Sequence, residues 1–207
     1  PEHVRENRDR VRRALSAERL VSLFQVHSSD VVTLTAVPDW DRGPKADAMV
    51  TNVPGLALGV LSADCGAVLA VDADAGVIGS AHSGWKGTAQ NILRATLTAM
   101  EALGAQRERT VVALGPMIRQ ESYEVGPDFP GLFNHAVEDH RRYFTPAAKP
   151  GHFMGDIAGI IAAQARAEGV ARFEDIGGDT ETGLWVAEFR PRSTTRGAQP
   201  RAGVDRG

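Results

Sequence analysis

The sequence predicts an α/β fold in a single domain. Short apolar runs at residues 46–50, 56–61, 68–71, 77–81 and 111–114 are nearly continuous rather than strictly alternating, the pattern of strands covered on both faces. Two later stretches, 87–103 and 156–168, carry apolar residues at helical spacing. The 207 residues contain no repeat and no linker long enough to separate a pair of domains, and one core suits that length.

The elements follow in order. Residues 1–17 read as an amphipathic helix, with Val4, Val11 and Leu15 on one face and Arg5, Arg12 and Arg13 toward solvent. From 20 to 35, Val, Leu, Phe and Thr favour strands, interrupted at Gln25-Val26-His27-Ser28-Ser29-Asp30. Pro38, Gly43 and Pro44 mark a loop. Asn52, Pro54 and Gly55 separate the strands expected at 46–50 and 56–61, and Asp72-Ala73-Asp74-Ala75-Gly76 separates those at 68–71 and 77–81. The helix expected over 87–103 buries Ala89, Leu93, Leu97 and Met100 and stops at Gly104. A strand at 111–114 ends at Gly115-Pro116, and the region to Gly151 is polar and poorly patterned. Asp156 caps a helix to 168, with Ile157, Ile160 and Ile161 inward and Gly169 past its end. Beyond Pro191 there is no apolar period, so residues 191–207 are expected to form an irregular tail.

Composition excludes several classes. Lys and Arg total 23 against 26 Asp and Glu, a formal charge of −3, which argues against a protein built to grip nucleic acid. One cysteine permits neither an intrachain disulfide framework nor a Cys-rich zinc module. No apolar run approaches the ~18 residues of a membrane span. The opening Pro1-Glu2-His3-Val4-Arg5-Glu6 lacks a signal-peptide core and an initiator Met, so the expectation is a cytoplasmic domain that begins inside a longer chain.

Three potentially reactive residues stand where apolar strands give way to turns. His27 closes Phe24-Gln25-Val26-His27, Cys65 follows Leu61-Ser62-Ala63-Asp64, and His82 follows Val77-Ile78-Gly79-Ser80-Ala81. Such edges hold side chains rigidly yet leave them reachable. Two imidazoles and a thiolate suit zinc and leave a fourth tetrahedral position for water or substrate. The same groups also suit a Cys-His pair with the thiolate as nucleophile. A third reading is structural: a small buried cysteine, a turn histidine, and a histidine bonded to a carbonyl. The spacing matches no local zinc motif and leaves the three readings open.

The stretch Gly79-Ser80-Ala81-His82-Ser83-Gly84-Trp85-Lys86-Gly87-Thr88 is not a nucleotide-phosphate loop, because Trp85 and Gly87 break the Gly-Lys-Ser/Thr order. A glycine-rich helix entry with Lys86 beside it still favours an anion, and a solvated lysine is the alternative.

These segments resemble the bacterial laccase-domain, or multicopper polyphenol oxidase-like, family of purine nucleoside phosphorylases, some of whose members are labelled peptidoglycan editing factors. The resemblance rests on eight stretches: Val4-Arg5-Glu6-Asn7-Arg8, Gln25-Val26-His27, Ala46-Asp47-Ala48-Met49-Val50-Thr51, Pro54-Gly55-Leu56-Ala57-Leu58, Ala63-Asp64-Cys65, Ala81-His82-Ser83-Gly84-Trp85-Lys86-Gly87, Ala113-Leu114-Gly115-Pro116 and Tyr123-Glu124-Val125-Gly126. Order and spacing agree from the first helix to about Asp179. The resemblance implies mixed sheets packed face to face with flanking helices (α/β/β/α), in a domain over residues 1–190.

It also implies a zinc site at His27, Cys65 and His82, which are the catalytic candidates too. The implied activity is phosphorolysis of adenosine, inosine, guanosine and methylthioadenosine, with adenosine deamination besides. The partners are then purine nucleosides and phosphate; no oligomeric state follows. Zinc is expected rather than copper, since one cysteine and few convergent histidines cannot build several copper centres. Lys86 and Arg190 are candidates to hold phosphate, with a solvated tail as the other reading of Arg190. Asp64, Asp47 and Asp156 are each open to orienting a ligand or to closing a turn. Tyr123 and Glu124 either line the pocket or end a strand.

The sequence departs from the family in three places, one being the end, Phe189-Arg190-Pro191-Arg192 through Thr194-Thr195-Arg196-Gly197, which resembles the family's Arg-rich close only loosely. The usual opening with Thr-Arg-x-Gly-Gly and a later Asn-Leu-Gly is absent, and the Cys-rich turn after Gly-Pro is replaced by Met117-Ile118-Arg119-Gln120-Glu121-Ser122. Two other functions compete: amide or ester hydrolysis in peptidoglycan precursor editing, with Cys65 as nucleophile and His82 as base, and non-catalytic nucleoside binding.

Overall fold

The apolar runs assemble into one six-stranded sheet. The computed structural model describes residues 2–40 and 43–182. The chain begins with α1 (Glu2–Ala14), β1 (Arg19–Ser22), β2 (Val31–Leu34), β3 (Ala48–Thr51) and β4 (Leu56–Gly59). It continues through β5 (Gly66–Asp72), β6 (Val77–Ser83), α2 (Trp85–Ala89), α3 (Ile92–Glu101) and β7 (Val111–Leu114). The last described elements are β8 (Glu124–Val125), β9 (Phe144–Pro146), β10 (Phe153–Gly155), α4 (Ile157–Ala167) and β11 (Arg172–Asp175).

The large sheet has the order β11-β7-β5-β6-β3-β2, antiparallel through β7-β5-β6-β3 and parallel at both outer pairs. A second sheet is the parallel pair β1-β4, and a third is the antiparallel β8-β10-β9. The layering is readable on β3. Ala48 and Val50 join the core cluster of α3 and α4, while Met49 joins a separate cluster with Val21 and Leu56 from the β1-β4 pair. Period-2 alternation thus sends neighbouring residues into opposite layers, giving an α/β/β/α sandwich. Burial of Leu93, Leu97, Ile160 and Ile161, all at most 1% exposed, contributes about 1.5–3 kcal/mol each.

The expectation of strands covered on both faces holds for β3 and fails on β5. Val68 and Ala70 are buried, but Leu69 and Val71 are 49% and 38% exposed. The β1-β4 pair covers only some of that face, and a cleft of about 470 Å³ remains between Leu56–Leu58 and the outer side of β5. Likewise α1 forms where expected but buries nothing: Val4, Val11 and Leu15 stay exposed among the described residues.

The single helix expected over 87–103 is two. Asn91 takes a left-handed conformation (φ +54°), and its side chain accepts the Arg94 N–H, so α2 ends and α3 begins with its own cap. The break re-phases the buried stripe, leaving Ala89 half-buried and adding Ile92 and Thr96 to Leu93, Leu97 and Met100. The helix expected over 156–168 forms as α4. Asp156 caps it through the Gly159 N–H at 2.7 Å, and Gly169 follows its end at φ +71°. The polar stretch before it folds around Phe129, Phe133 and Phe144, whose rings lie 5.5–6.1 Å apart. Arg190 and the tail expected from 191 lie outside the described residues. No helix among the described residues is long and apolar enough to cross a membrane.

One buried carboxylate closes the far end of the sheet. Asp72, fully buried, accepts the N–H groups of Asp74, Ala75 and Gln106 and the Arg109 guanidinium at 2.9 Å. The Arg109 bond leads in lowering its pKa to about 2, against the opposing effect of burial. A depressed carboxylate stabilises fully above its unfolded value near 3.8, and the effect disappears as pH falls through about 2. Asp72→Asn is therefore expected to lower Tm by several degrees at pH 7, with the gap from wild type closing as thermal melts are taken from pH 4 toward pH 2.

Candidate metal centre

The antiparallel register of β5, β6 and β3 brings together residues far apart in sequence. His82 lies on β6, the strand between β3 and β5, and faces Ala67 of β5. Because both neighbours run opposite to β6, their first residues lie at its end. Asp47 precedes β3 on one side and Cys65 precedes β5 on the other. His27 arrives on the loop between β1 and β2, after an isolated bridge pairs Phe24 with Lys45.

His27 thus lies on a loop rather than closing a strand, and Cys65 lies in the bend just before β5 rather than ending the strand before it. The strands before those two residues stop early, β1 at Ser22 and β4 at Gly59. His82, by contrast, is within its strand.

The nitrogen, sulfur and nitrogen donors of His27, Cys65 and His82 all lie within 4.8 Å of one another. His82 is buried, Cys65 half-buried and His27 exposed, so the cluster is reachable from one side. The two imidazole rings meet edge to face, 4.8 Å between centroids. Among the described residues this is the one group of three or more such donors that could hold a metal.

Asp47 organises the cluster. It is 2% exposed, and one carboxylate oxygen lies 2.8 Å from His82 Nδ1. The same carboxylate accepts the successive N–H groups of Val26, His27 and Ser28 at 2.8–3.0 Å, and the Ser28 hydroxyl at 3.1 Å. Three consecutive amides turned toward one anion form a nest, and that holds His27 at φ +62°, a conformation unfavourable for a residue with a side chain. Burial alone would raise the Asp47 pKa, but the His82 ring and the three amides outweigh it and the net shift is downward. Asp47 remains an anion that accepts from Nδ1 and leaves His82 Nε2 for a ligand.

The thiol has no such support. Burial first, then the charges of Asp64 and Asp47, push the Cys65 pKa up. A thiolate there requires a cation, which fits a metal ligand better than a free nucleophile. Gly84 backs the thiol closely: a Cβ at this position would lie 2.8 Å from Sγ and 3.2 Å from His27 Cδ2, so any side chain would displace both groups.

Other sequence candidates take different places. Asp64 is exposed and accepts the Thr180 hydroxyl at 2.8 Å, so Asp47 rather than Asp64 touches a member of the cluster. Asp156 serves as a helix cap. Lys86 is exposed, with Nζ 5.4 Å from the Trp85 ring centroid. The helix it starts has only five residues, and its dipole is correspondingly short. Glu124 pairs with His152 at 2.9 Å. Tyr123 lines a hollow of about 60 Å³ with Cys65, Trp85, Met117, Ile118 and Ile157. Burial and the nearby Cys65 push the Tyr123 hydroxyl above its ordinary pKa, so it is a proton-bearing group facing the thiol. Phe129, which the sequence did not single out, stacks near Trp85 and Tyr123 at 5.4 and 5.8 Å and backs this wall.

Comparison with known proteins places the chain in a family. The family model described as multi-copper polyphenol oxidoreductase laccase matches residues 1–183. A Deinococcus radiodurans protein named purine nucleoside phosphorylase is 44% identical over 138 residues, 66% of this chain and 53% of its own. A Rickettsia conorii protein of the same name is 32% identical over 181 residues, 86% of this chain and 72% of its own. The chain therefore spans about half the length of the first relative. The crystal structure of a Neisseria meningitidis protein of family DUF152 superposes with a TM-score of 0.76 at 29% identity, covering 87% of this chain and 72% of that one.

Asp47→Asn tests the organising role. Loss of the charge and of one acceptor is expected to weaken metal binding about 10–100-fold. Cobalt(II) titration against a competing chelator, with circular dichroism as the folding control, measures this. Unchanged cobalt affinity in a folded variant contradicts it.

Proposed function

Because the chain belongs to the multi-copper polyphenol oxidoreductase laccase family, we propose that it is a purine nucleoside phosphorylase with one zinc ion held by His27, Cys65 and His82. The observation that carries the reading is the convergence of those three donors within 4.8 Å, with His82 oriented by Asp47. The names of the Deinococcus and Rickettsia relatives support the reaction class. The donor set supports zinc over copper: thiolate and imidazole suit a single tetrahedral ion, and one cluster among the described residues does not supply several copper centres.

A zinc ion held by His27, Cys65 and His82 would supply Lewis-acid polarisation of a substrate oxygen. The chain's own residues do the rest. Asp47 fixes the His82 ring through Nδ1 and holds the loop that presents His27. Trp85 and Tyr123 line the adjoining hollow, which at about 60 Å³ is smaller than a purine and has to widen before aromatic walls can flank the base. Lys86, exposed at the start of α2, balances some of the phosphate charge, with Arg190 as a second cation for it. In phosphorolysis, a phosphate oxygen attacks C1′ of the ribose as the C1′–N9 bond breaks, and protonation of the base eases its departure. The proposed substrates are adenosine, inosine, guanosine and methylthioadenosine. Deamination of adenosine is a further proposed activity because the exposed side of the cluster is open to water: water adds its oxygen to C6, the C6–N6 bond breaks, and ammonia leaves to give inosine.

A second reading has its own observation. Cys65, His82 and Asp47 also form a Cys-His-Asp series, the arrangement of a thiol hydrolase. The upward shift of the thiol counts against it, as does the third donor from His27. The zinc-loaded protein is expected to release ribose 1-phosphate from inosine or adenosine only when phosphate is present, with at least a 100-fold loss in Cys65→Ala. Phosphate-independent turnover by metal-free protein, abolished by thiol alkylation, would instead favour the hydrolase. Nucleoside binding without turnover would mark a binding protein.

A further inference from the structure

The three donors of the metal centre come from segments that are secured in different ways. His82 lies within β6, between its ladders to β3 and β5. His27 is fixed through the successive amides that Asp47 gathers. Cys65 ends the segment joining β4 to β5, in which residues 61–64 are all exposed. An exposed segment gains little from burial to offset the entropy of ordering it, so hydrogen bonds have to place the sulfur.

Those bonds act at both ends of the segment. Beside Cys65, the Ile118 N–H donates to the Asp64 carbonyl at 3.0 Å, and the Thr180 hydroxyl donates to the Asp64 carboxylate at 2.8 Å. At Leu61 the segment is joined to the His27 loop by the side chain of Gln25, two residues before His27. Gln25 Nε2 donates to the Leu61 carbonyl at 2.7 Å, and Oε1 accepts the Leu61 N–H at 2.9 Å.

One planar amide thus exchanges both bonds with a single residue, as paired residues do in an antiparallel ladder, across 36 positions of sequence. The flipped amide would set donor against donor and acceptor against acceptor, so its orientation is fixed. Leu61 is 64% exposed, which makes its own side chain a weak anchor and leaves the attachment to these two bonds. The backbone on either side of Gln25 is clamped. The Phe24 N–H donates to the Pro44 carbonyl at 3.0 Å, and the Val26 N–H donates to Asp47 at 3.0 Å.

From this geometry we infer that Gln25 is a positioning residue of the metal centre: it ties the Cys65 segment to the His27 loop and so sets the sulfur within bonding reach of the nitrogens. The inference rests on the metal-site reading proposed above and adds a residue that gives the ion no donor atom. Asp47 joins the His27 loop to His82, and Gln25 joins the same loop to the segment of Cys65.

Cobalt(II) substitution tests this, because a cobalt–thiolate bond gives a charge-transfer band that reports the sulfur separately from the imidazoles. Gln25→Met keeps the side-chain length and removes both bonds. Gln25→Glu keeps the acceptor but sets an oxygen against the Leu61 carbonyl. In each variant, with circular dichroism as the folding control, the band at saturating cobalt is expected to weaken and cobalt affinity to fall about tenfold or more. Either folded variant decides the matter alone. A wild-type band that persists with equal intensity and affinity in a folded variant overturns the positioning role and leaves the metal centre standing. A variant that melts at a lower temperature yet keeps the full band and affinity overturns it too, since that effect is purely structural. Wild-type protein that binds cobalt without the band overturns the metal-site reading together with this inference.

Discussion

A single buried carboxylate carries the organisation of the site. Asp47 sits at the entrance to β3, where sheet geometry brings it beside His82. An anion at 2% exposure is costly unless its lone pairs are filled, and here an imidazole, a hydroxyl and three amides fill them. The same bonds that make the charge tolerable fix the tautomer of His82 and hold His27 in a left-handed backbone. The contacts that hold the His27 loop are therefore the same ones that orient the His82 ring.

The rest of the fold serves this arrangement. A middle strand flanked by two antiparallel neighbours is the simplest way to bring two strand beginnings to one strand end, and β3-β6-β5 does so with Asp47 and Cys65 on either side of His82. Gly84 then lets the chain turn into α2 without a side chain where the thiol must sit. The aromatic group around Phe129 stiffens the wall opposite. The multi-copper wording of the family description contrasts with a chain whose described residues assemble one three-donor cluster.

Much of this was legible in the sequence, and the exceptions have physical causes. The strand at 111–114 and the helix from Asp156 were readable because apolar period and cap agree there. The break at Asn91 was hidden by an apolar period that continues through it, since one left-handed residue shifts the phase without removing hydrophobic residues. The exposed side of β5 reads as core because Leu69 and Val71 do not reveal whether a second layer covers them. Strands of two or three residues, such as β8 and β9, are too short to show alternation. The cluster residues were visible as reactive types near strand ends. That Asp47, not Asp64, would touch His82 was not visible, because the choice depends on which strands pair, a long-range property.

The central physical claim is that two imidazoles and one thiolate surround a single ion. X-ray absorption at the zinc K-edge of the purified, zinc-loaded protein reads that shell directly. One sulfur at about 2.3 Å with nitrogen or oxygen neighbours at about 2.0 Å, at one zinc per chain, is the predicted result. A shell without sulfur would contradict it.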